Sequence, residues 1–280
     1  MPSICPDALR ALALVTLLVP LGGAAAPIPQ PLRVCADPNN LPFSNRRLEG
    51  FENRLAELVA RDLHTEIEYT WWAERRGFLR NTLKAGVCDV VLGLPTGIEM
   101  ASTTRPYYRS SYVFVSRAAR HLDIRSFDDP RLQQLRIGVQ LTGDDYANTP
   151  PAHALARRGL VANVVGYTVY GDYAEDSPPA RIIDAVASGV IDIAVVWGPL
   201  AGFHALRQRE RLAVDPVTPT VDPPFPMTFA IAVGVRHGDD GRRAAIDAIL
   251  ARRRGEIARL LGRYGVPLLP VEDTSNGRAR

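Results

Sequence analysis

Hydrophobic and polar positions along the chain alternate between two periods, and the alternation predicts a layered α/β protein. Phe51, Leu55, Leu58, Val59 and Leu63 fall on one face at helical spacing, and Ile67, Tyr69 and Trp71 then alternate as a strand does. Arg80 to Ala85 predict a second helix closed by Gly86, and Val90 to Leu92 a further buried strand. The same design returns at a constant offset of 103 residues. Leu32, Arg33 and Val34 recur as Leu135, Arg136 and Ile137, and the run Ala85 to Leu92 recurs as Ser188 to Val195. Two matched pairs at one offset imply two lobes of similar construction. In each lobe the order strand, helix, strand, helix, strand predicts an open, mainly parallel sheet with helices on both faces.

The end of the chain departs from the repeat. Phe229 to Val235 predict one more strand, and Ile246, Ile249, Leu250, Ile257, Leu260 and Leu261 continue as helix with no new strands to cover. That helix must pack on existing structure, so the chain is expected to return to the first lobe. Residues 31–118 with 228–270 then form lobe 1 and residues 119–227 lobe 2. The two crossings, near Arg117 to Leu122 and Pro224 to Thr228, make a hinge, and residues 271–280 are left as a disordered tail.

Before the first strand, the apolar run Ala11 to Leu21 follows a short segment carrying Arg10 and Asp7, and it leads into Gly22, Gly23 and three alanines. The run is shorter than the roughly 20 residues that span a bilayer. Residues 1–26 are therefore expected to be a signal peptide cleaved near Ala25 or Ala26, which places the mature chain in the periplasm without a transmembrane segment. Export removes Cys5 and leaves Cys35 and Cys88 in an oxidising compartment, where a disulfide is the default expectation. Two buried free thiols or metal ligands are the alternatives. No third or fourth ligand lies at a metal-like spacing, which argues against zinc.

Lysine and arginine number 33 against 30 acids, a net charge of +3, and arginines concentrate late, at 242, 243, 252, 253, 254, 259 and 263. A solvated helix face accounts for such a run; docking on an acidic protein surface or anionic lipid is its functional counterpart. No nucleic acid partner is expected, because export removes the chain from it. No G-x-S-x-G turn, phosphate-binding glycine loop or H-E-x-x-H is present, and the five histidines are scattered, so neither catalytic nor metal-binding residues are assigned.

Ligands of open α/β sheets lie beyond the carboxyl ends of the strands, and the repeat therefore nominates a cleft between the lobes. Its expected residues are Asp37, Asn39, Asn40, Phe43, Trp71, Trp72, Arg76, Pro95 and Thr96 from lobe 1, and Gly143, Asp144, Asp145 and Trp197 from lobe 2. The aspartates could hold a cation or simply shape turns, and Trp197 suits stacking on a flat ligand or packing on a partner. Asp89 and Asp192, at equivalent places between helix and strand, are read as structural.

Over residues 31–270 the layout resembles type II periplasmic solute-binding proteins, especially those serving polar amino acid uptake. In that family an arginine after the third strand grips the ligand carboxylate and a late acid of the second lobe holds the amine. Here Met100 and Trp197 stand near those places, which makes an ordinary amino acid a poor cargo. A closer resemblance rests on Arg33 to Ser44, Gly50 to Arg54, Arg75 to Phe78, Thr104 to Tyr108, Asn148 to Leu155 and Trp197 to Gly202. These strings are similar to the J-type accessory proteins of methanol-oxidation clusters, with Tyr146 replacing an expected glycine.

The resemblance implies a non-catalytic periplasmic protein with no cofactor of its own. It would assist or activate a quinoprotein methanol dehydrogenase that carries pyrroloquinoline quinone with calcium or a lanthanide, and the dehydrogenase's cytochrome c is a further candidate partner. The substrate-binding component of an ABC transporter for a small molecule other than an amino acid is the alternative reading.

Overall fold

The computed structural model describes residues 30–142, 148–168, 175 and 177–270. The expected leader, the expected tail and the expected site residues Gly143, Asp144 and Asp145 lie outside the described residues. The main elements are β1 (Leu32–Ala36), α1 (Phe51–Asp62), β2 (Ile67–Trp71), α2 (Phe78–Asn81), β3 (Val90–Pro95), β4 (Tyr108–Arg117), β5 (Ile137–Leu141) and α3 (Pro150–Arg157). They continue with β6 (Val164–Thr168), α4 (Arg181–Ala187), β7 (Ile193–Trp197), α5 (Gly198–Ala205), β8 (Leu212–Pro216), β9 (Thr228–Val235), α6 (Asp240–Arg252) and α7 (Arg254–Arg263).

The strands lie along one hydrogen-bonded path, β2-β1-β3-β9-β4-β7-β5-β6, with β8 added beside β4. Each end is a parallel triplet, β2-β1-β3 on one side and β6-β5-β7 on the other. The long strands β9 and β4 join the triplets in antiparallel pairing. This is the two-lobed fold of type II periplasmic binding proteins. Strand β4 pairs with β9 through Tyr108 to Ser111 and with β7 through Tyr112 to Ser116, so the chain changes lobe between Ser111 and Tyr112. The crossing comes earlier than the stretch from Arg117 to Leu122, because the backbone stays extended and paired throughout the crossing and no loop marks it in the sequence.

Helices cover both faces of each half. In lobe 1, α1, α6 and α7 bury Leu55, Val59, Ile246, Ile249, Leu250, Ile257 and Leu261 against Leu32, Val34, Val90 and Val233. The expected late helix divides into α6 and α7 at Arg253, whose guanidinium holds the Asp62 carboxylate at 2.7 Å; Arg252 holds it at 2.8 Å. Part of the late arginine run is thus spent on ion pairs within lobe 1, made by half-exposed side chains. The helix expected over Arg80 to Ala85 is a single turn earlier in the chain, at Phe78–Asn81. The Thr82 hydroxyl donates to the Phe78 carbonyl at 2.6 Å, and turns then lead to Gly86, whose φ of +75° suits glycine.

The repeat is visible as chemistry. In lobe 1, Asp89 accepts from the Arg33 backbone N–H and its guanidinium, while the same guanidinium donates to the Gly86 carbonyl. In lobe 2, Asp192 accepts from the Arg136 N–H and guanidinium, which donates to the Gly189 carbonyl. Burial pushes the Asp192 carboxyl up, but the hydrogen bonds from Arg136 and Arg120 prevail and bring it down to about 2. Both clamps sit at the amino ends of the strands, away from the cleft.

One repeat position differs in kind. Cys35 and Cys88 form a disulfide beneath Phe78, Leu79 and Leu83. Their counterparts one repeat later are Gly138 and Ile191, and a Cβ on Gly138 would stand 2.4 Å from the Ile191 Cδ1. A covalent tie in one lobe is replaced by a filled van der Waals contact in the other.

The lobes also meet outside the strands. A Cβ on Gly202 in α5 would stand 1.9 Å from the Gly265 carbonyl oxygen, and one on Gly198 would stand 2.7 Å from the Pro267 ring. Phe203 stacks on Tyr264 with centroids 5.6 Å apart, and the Tyr264 hydroxyl donates to the Glu49 carbonyl at 2.5 Å. Helix α5 of lobe 2 therefore rests backbone to backbone on the segment after α7 in lobe 1.

Two stability measurements follow from these contacts. Replacing Cys35 and Cys88 together by alanine is expected to cost about 2–4 kcal/mol, read as a lower urea midpoint, and reductant should lower the parent midpoint in the same way. Gly202→Ala should cost about 1–3 kcal/mol through overpacking at Gly265. Gly262→Ala, where a Cβ meets open space on a helix, should be neutral or gain up to about 1 kcal/mol.

Candidate functional site

Between the lobes lies a cavity of about 310 Å³, reached from the carboxyl ends of β1, β3, β5 and β7 as the topology requires. Its walls come from three sources. Loops after β1 and β2 bring Asn40, Phe43 and Glu74; α1 and β3 bring Glu52, Gly93 and Pro95; and lobe 2 brings Gln140, Thr142, Thr149, Trp197 and Leu200. The crossing strands form the floor with Tyr108, Tyr112, Phe229 and Ile231.

Of the residues nominated from the sequence, Asn40, Phe43, Pro95 and Trp197 line this cavity. Asp37 is buried beside it and works on the backbone: its carboxylate accepts from the Asn39 N–H at 2.8 Å and the Glu74 N–H at 2.7 Å, tying two cleft loops together. Asn39 reaches across the lobes, its Nδ2 donating to the Glu175 carbonyl at 2.7 Å. Trp71 stacks on Tyr69 at 4.7 Å with the Arg46 guanidinium over its ring, away from the lining. Trp72 is 44% exposed, Arg76 and Thr96 are exposed, and none of the three lines the cavity. Met100, which stands near the place of the amino acid family's arginine, is 40% exposed and outside the lining.

The structure adds residues that sequence reading missed. Tyr112 and Phe229 join the nominated Trp197: the three come from three different strands and meet edge to face, with centroids 5.4, 5.8 and 6.3 Å apart. Tyr108 and Tyr112 share one face of β4 by strand alternation, a signal present in the sequence but without meaning until β4 was known to cross the cleft. Glu52 stands in the first turn of α1, whose amino end follows directly from the loop after β1. It reaches the cavity over Gly93: φ there is +77°, and a Cβ would stand 2.3 Å from the Glu52 Oε1. Glycine at 93 thus makes room for a carboxylate.

The electrostatics of the cavity are one-sided. Burial, followed by repulsion from Glu74 and Asp37, pushes the Glu52 carboxyl well above the usual range. Burial and then repulsion from Asp37 push Glu74 up to about 7, against a hydrogen bond from the Asn40 amide at 3.1 Å. Both side chains keep some surface, which borders the cavity. Burial also raises the Tyr108 and Tyr112 hydroxyls, keeping them neutral. His204, buried on α5, faces the Leu41 carbonyl at 3.3 Å, and desolvation lowers it to about 4. Among the described residues no cluster of three or more histidine, cysteine or acidic side chains is placed to hold a metal ion.

No family model matches the chain. Protein MoxJ of Methylorubrum extorquens AM1 is 32% identical over 258 residues, covering 89% of this chain and 85% of that protein. The crystal structure of the periplasmic binding protein XoxJ from Methylobacterium extorquens AM1 superposes with a TM-score of 0.69 at 36% identity, over 86% of this chain and all of that one. The crystal structure of MxaJ from Methlophaga aminisulfidivorans MPT superposes with a TM-score of 0.71 at 26% identity, over 85% of this chain and all of that one. Alike over nearly their whole length in sequence, and alike in lobes and crossing strands, these proteins and this one are of a kind: the chain belongs to the MoxJ family.

Proposed function

We propose that this protein is a periplasmic, non-catalytic accessory of methanol oxidation, which assists or activates a quinoprotein methanol dehydrogenase by binding it. The likeness to MoxJ, XoxJ and MxaJ over almost the full chain carries this reading. In the sequence, the leader at residues 1–26 supports export. The pyrroloquinoline quinone and its calcium or lanthanide belong to the dehydrogenase, whose cytochrome c is a further partner. The lobe assignment carried with this reading starts from residues 31–118 and 228–270 for the first and 119–227 for the second, with the first boundary moved back to the crossing after Ser111, and takes the cleft between them as the working surface.

The cleft agrees with such a role better than with nutrient capture. Among the described residues its lining holds no arginine or lysine to pair with an amino acid carboxylate, and Trp197 stands near the place of the acid that would meet the amine. The proline-stiffened, aromatic rim at Phe43, Pro95 and Trp197 offers shaped apolar surface of the sort protein partners bury.

Adding the purified mature protein to a purified quinoprotein methanol dehydrogenase should raise its initial rate or its metal occupancy, saturating at a fixed stoichiometry. Absence of binding together with unchanged rate and metal content would overturn the reading, and capture by permease and ATPase subunits would replace it with the transporter alternative.

A further inference from the structure

Many acids among the described residues face an arginine. Asp62, Asp89, Asp128, Asp129, Asp192 and Asp222 each face an arginine within hydrogen-bond reach. Glu52 and Glu74 are different in being desolvated without a counter-charge: among the described residues no ion pair joins either to a basic side chain, although the chain carries more basic residues than acids. Among the described residues they are the acids that line the inter-lobe cavity, and no lysine, arginine or histidine lines it with them. Desolvating two carboxyl groups in one cavity without a counter-charge is unfavourable, and a cation brought in from outside removes the penalty. The same cavity is lined by the mutually packed rings of Tyr112, Trp197 and Phe229. Aromatic faces attract a positive charge and shelter an apolar body.

We propose that the inter-lobe cavity is a receptor for an organic cation, a protonated amine or guanidinium on an apolar body small enough for about 310 Å³, held by Glu52, Glu74 and the Tyr112, Trp197 and Phe229 rings. A free small amine and a lysine or arginine side chain inserted from a protein partner present the same chemistry. A lining with two carboxyl groups and, among the described residues, no base offers a polycarboxylate such as pyrroloquinoline quinone no counter-charge, so the proposal expects the quinone to bind more weakly than a cation. The proposal deepens the accessory reading by naming what the cleft accepts, without depending on the dehydrogenase.

Binding a cation favours the ionised carboxyls, so protons leave as the ligand enters. With Glu74 titrating near 7, affinity should rise as pH goes from about 5.5 to 7.5. Among the described residues the other titratable groups around these two carboxyls are Asp37, Tyr69, Tyr107, Tyr108 and Tyr112, and the tyrosines, all raised by burial, stay neutral throughout that range.

Titration calorimetry on the mature protein tests the proposal. The probes are benzylammonium and agmatine, benzyl alcohol as a neutral isostere, pyrroloquinoline quinone as a polyanion, and an unstructured peptide with one internal arginine beside its citrulline twin. At least one cation should bind, with neutral and anionic counterparts weaker by roughly tenfold or more. Glu52→Gln and Glu74→Gln should each cost a similar factor while unfolding at unchanged or higher temperature. Glu74→Gln should also flatten the pH dependence and reduce the protons released, counted in two buffers of different ionisation enthalpy. Preference for the small cations identifies a free solute, and preference for the arginine peptide identifies an inserted side chain. If benzyl alcohol or the quinone binds as tightly as the cations, or no cation binds at millimolar concentration, the proposal falls. That result leaves the dehydrogenase assay unaffected, and failure of that assay leaves the cation titration standing.

Discussion

The structure depends on the antiparallel pairing of the two crossing strands. Strand β9 is hydrogen-bonded to β3 on one side and to β4 on the other, and β4 passes without a break from β9 to β7. Backbone groups buried away from water must be paired, and a chain that changes lobe while remaining in a sheet satisfies this through the whole crossing. The arrangement turns the carboxyl ends of both parallel triplets toward each other, so a cleft is a consequence of the topology. It also puts Tyr112 and Phe229, side chains of the crossing strands, on the cleft floor beside Trp197.

Two kinds of device hold each lobe around this frame. The clamps of Arg33 on Asp89 and Arg136 on Asp192 repeat atom for atom in role, closing a backbone N–H and a turn carbonyl at the same point of each lobe. Their arginines are partly exposed, so satisfied backbone groups matter more here than Coulomb energy. The Cys35–Cys88 disulfide has no such copy, since Gly138 and Ile191 solve the same packing problem by shape. Contact of α5 with the segment after α7, through Gly202 and Gly265, adds a close interface between the lobes beside the crossing strands.

Charge is distributed against the chain's own average. Arginine excess is spent on outer clamps and on the surface of α6 and α7, while among the described residues the cavity lining holds Glu52 and Glu74 and no base. Desolvation raises both carboxyls, and Gly93 supplies the space that lets one of them sit against the strand backbone. A cavity of this composition is poorly suited to the carboxylate of an amino acid, in keeping with the exposed Met100 where the resemblance to the amino acid family places an arginine.

Much of this was legible in the residues alone. Periodicity and the 103-residue repeat determined the parallel triplets, the equivalence of the two lobes and the strand ends where a cleft must open, because each follows from local spacing of apolar side chains. Asn40, Phe43, Pro95 and Trp197 were legible for the same reason, lying just past those strand ends. Glu52, Glu74, Tyr112 and Phe229 were not. A glutamate in the first turn of a helix reads as favourable helix chemistry, and a tyrosine or phenylalanine in a strand reads as core. Only the tertiary structure decided that these four share one cavity, because the contacts that assemble it join residues far apart in the chain through the two crossing strands, and no local spacing encodes such a meeting.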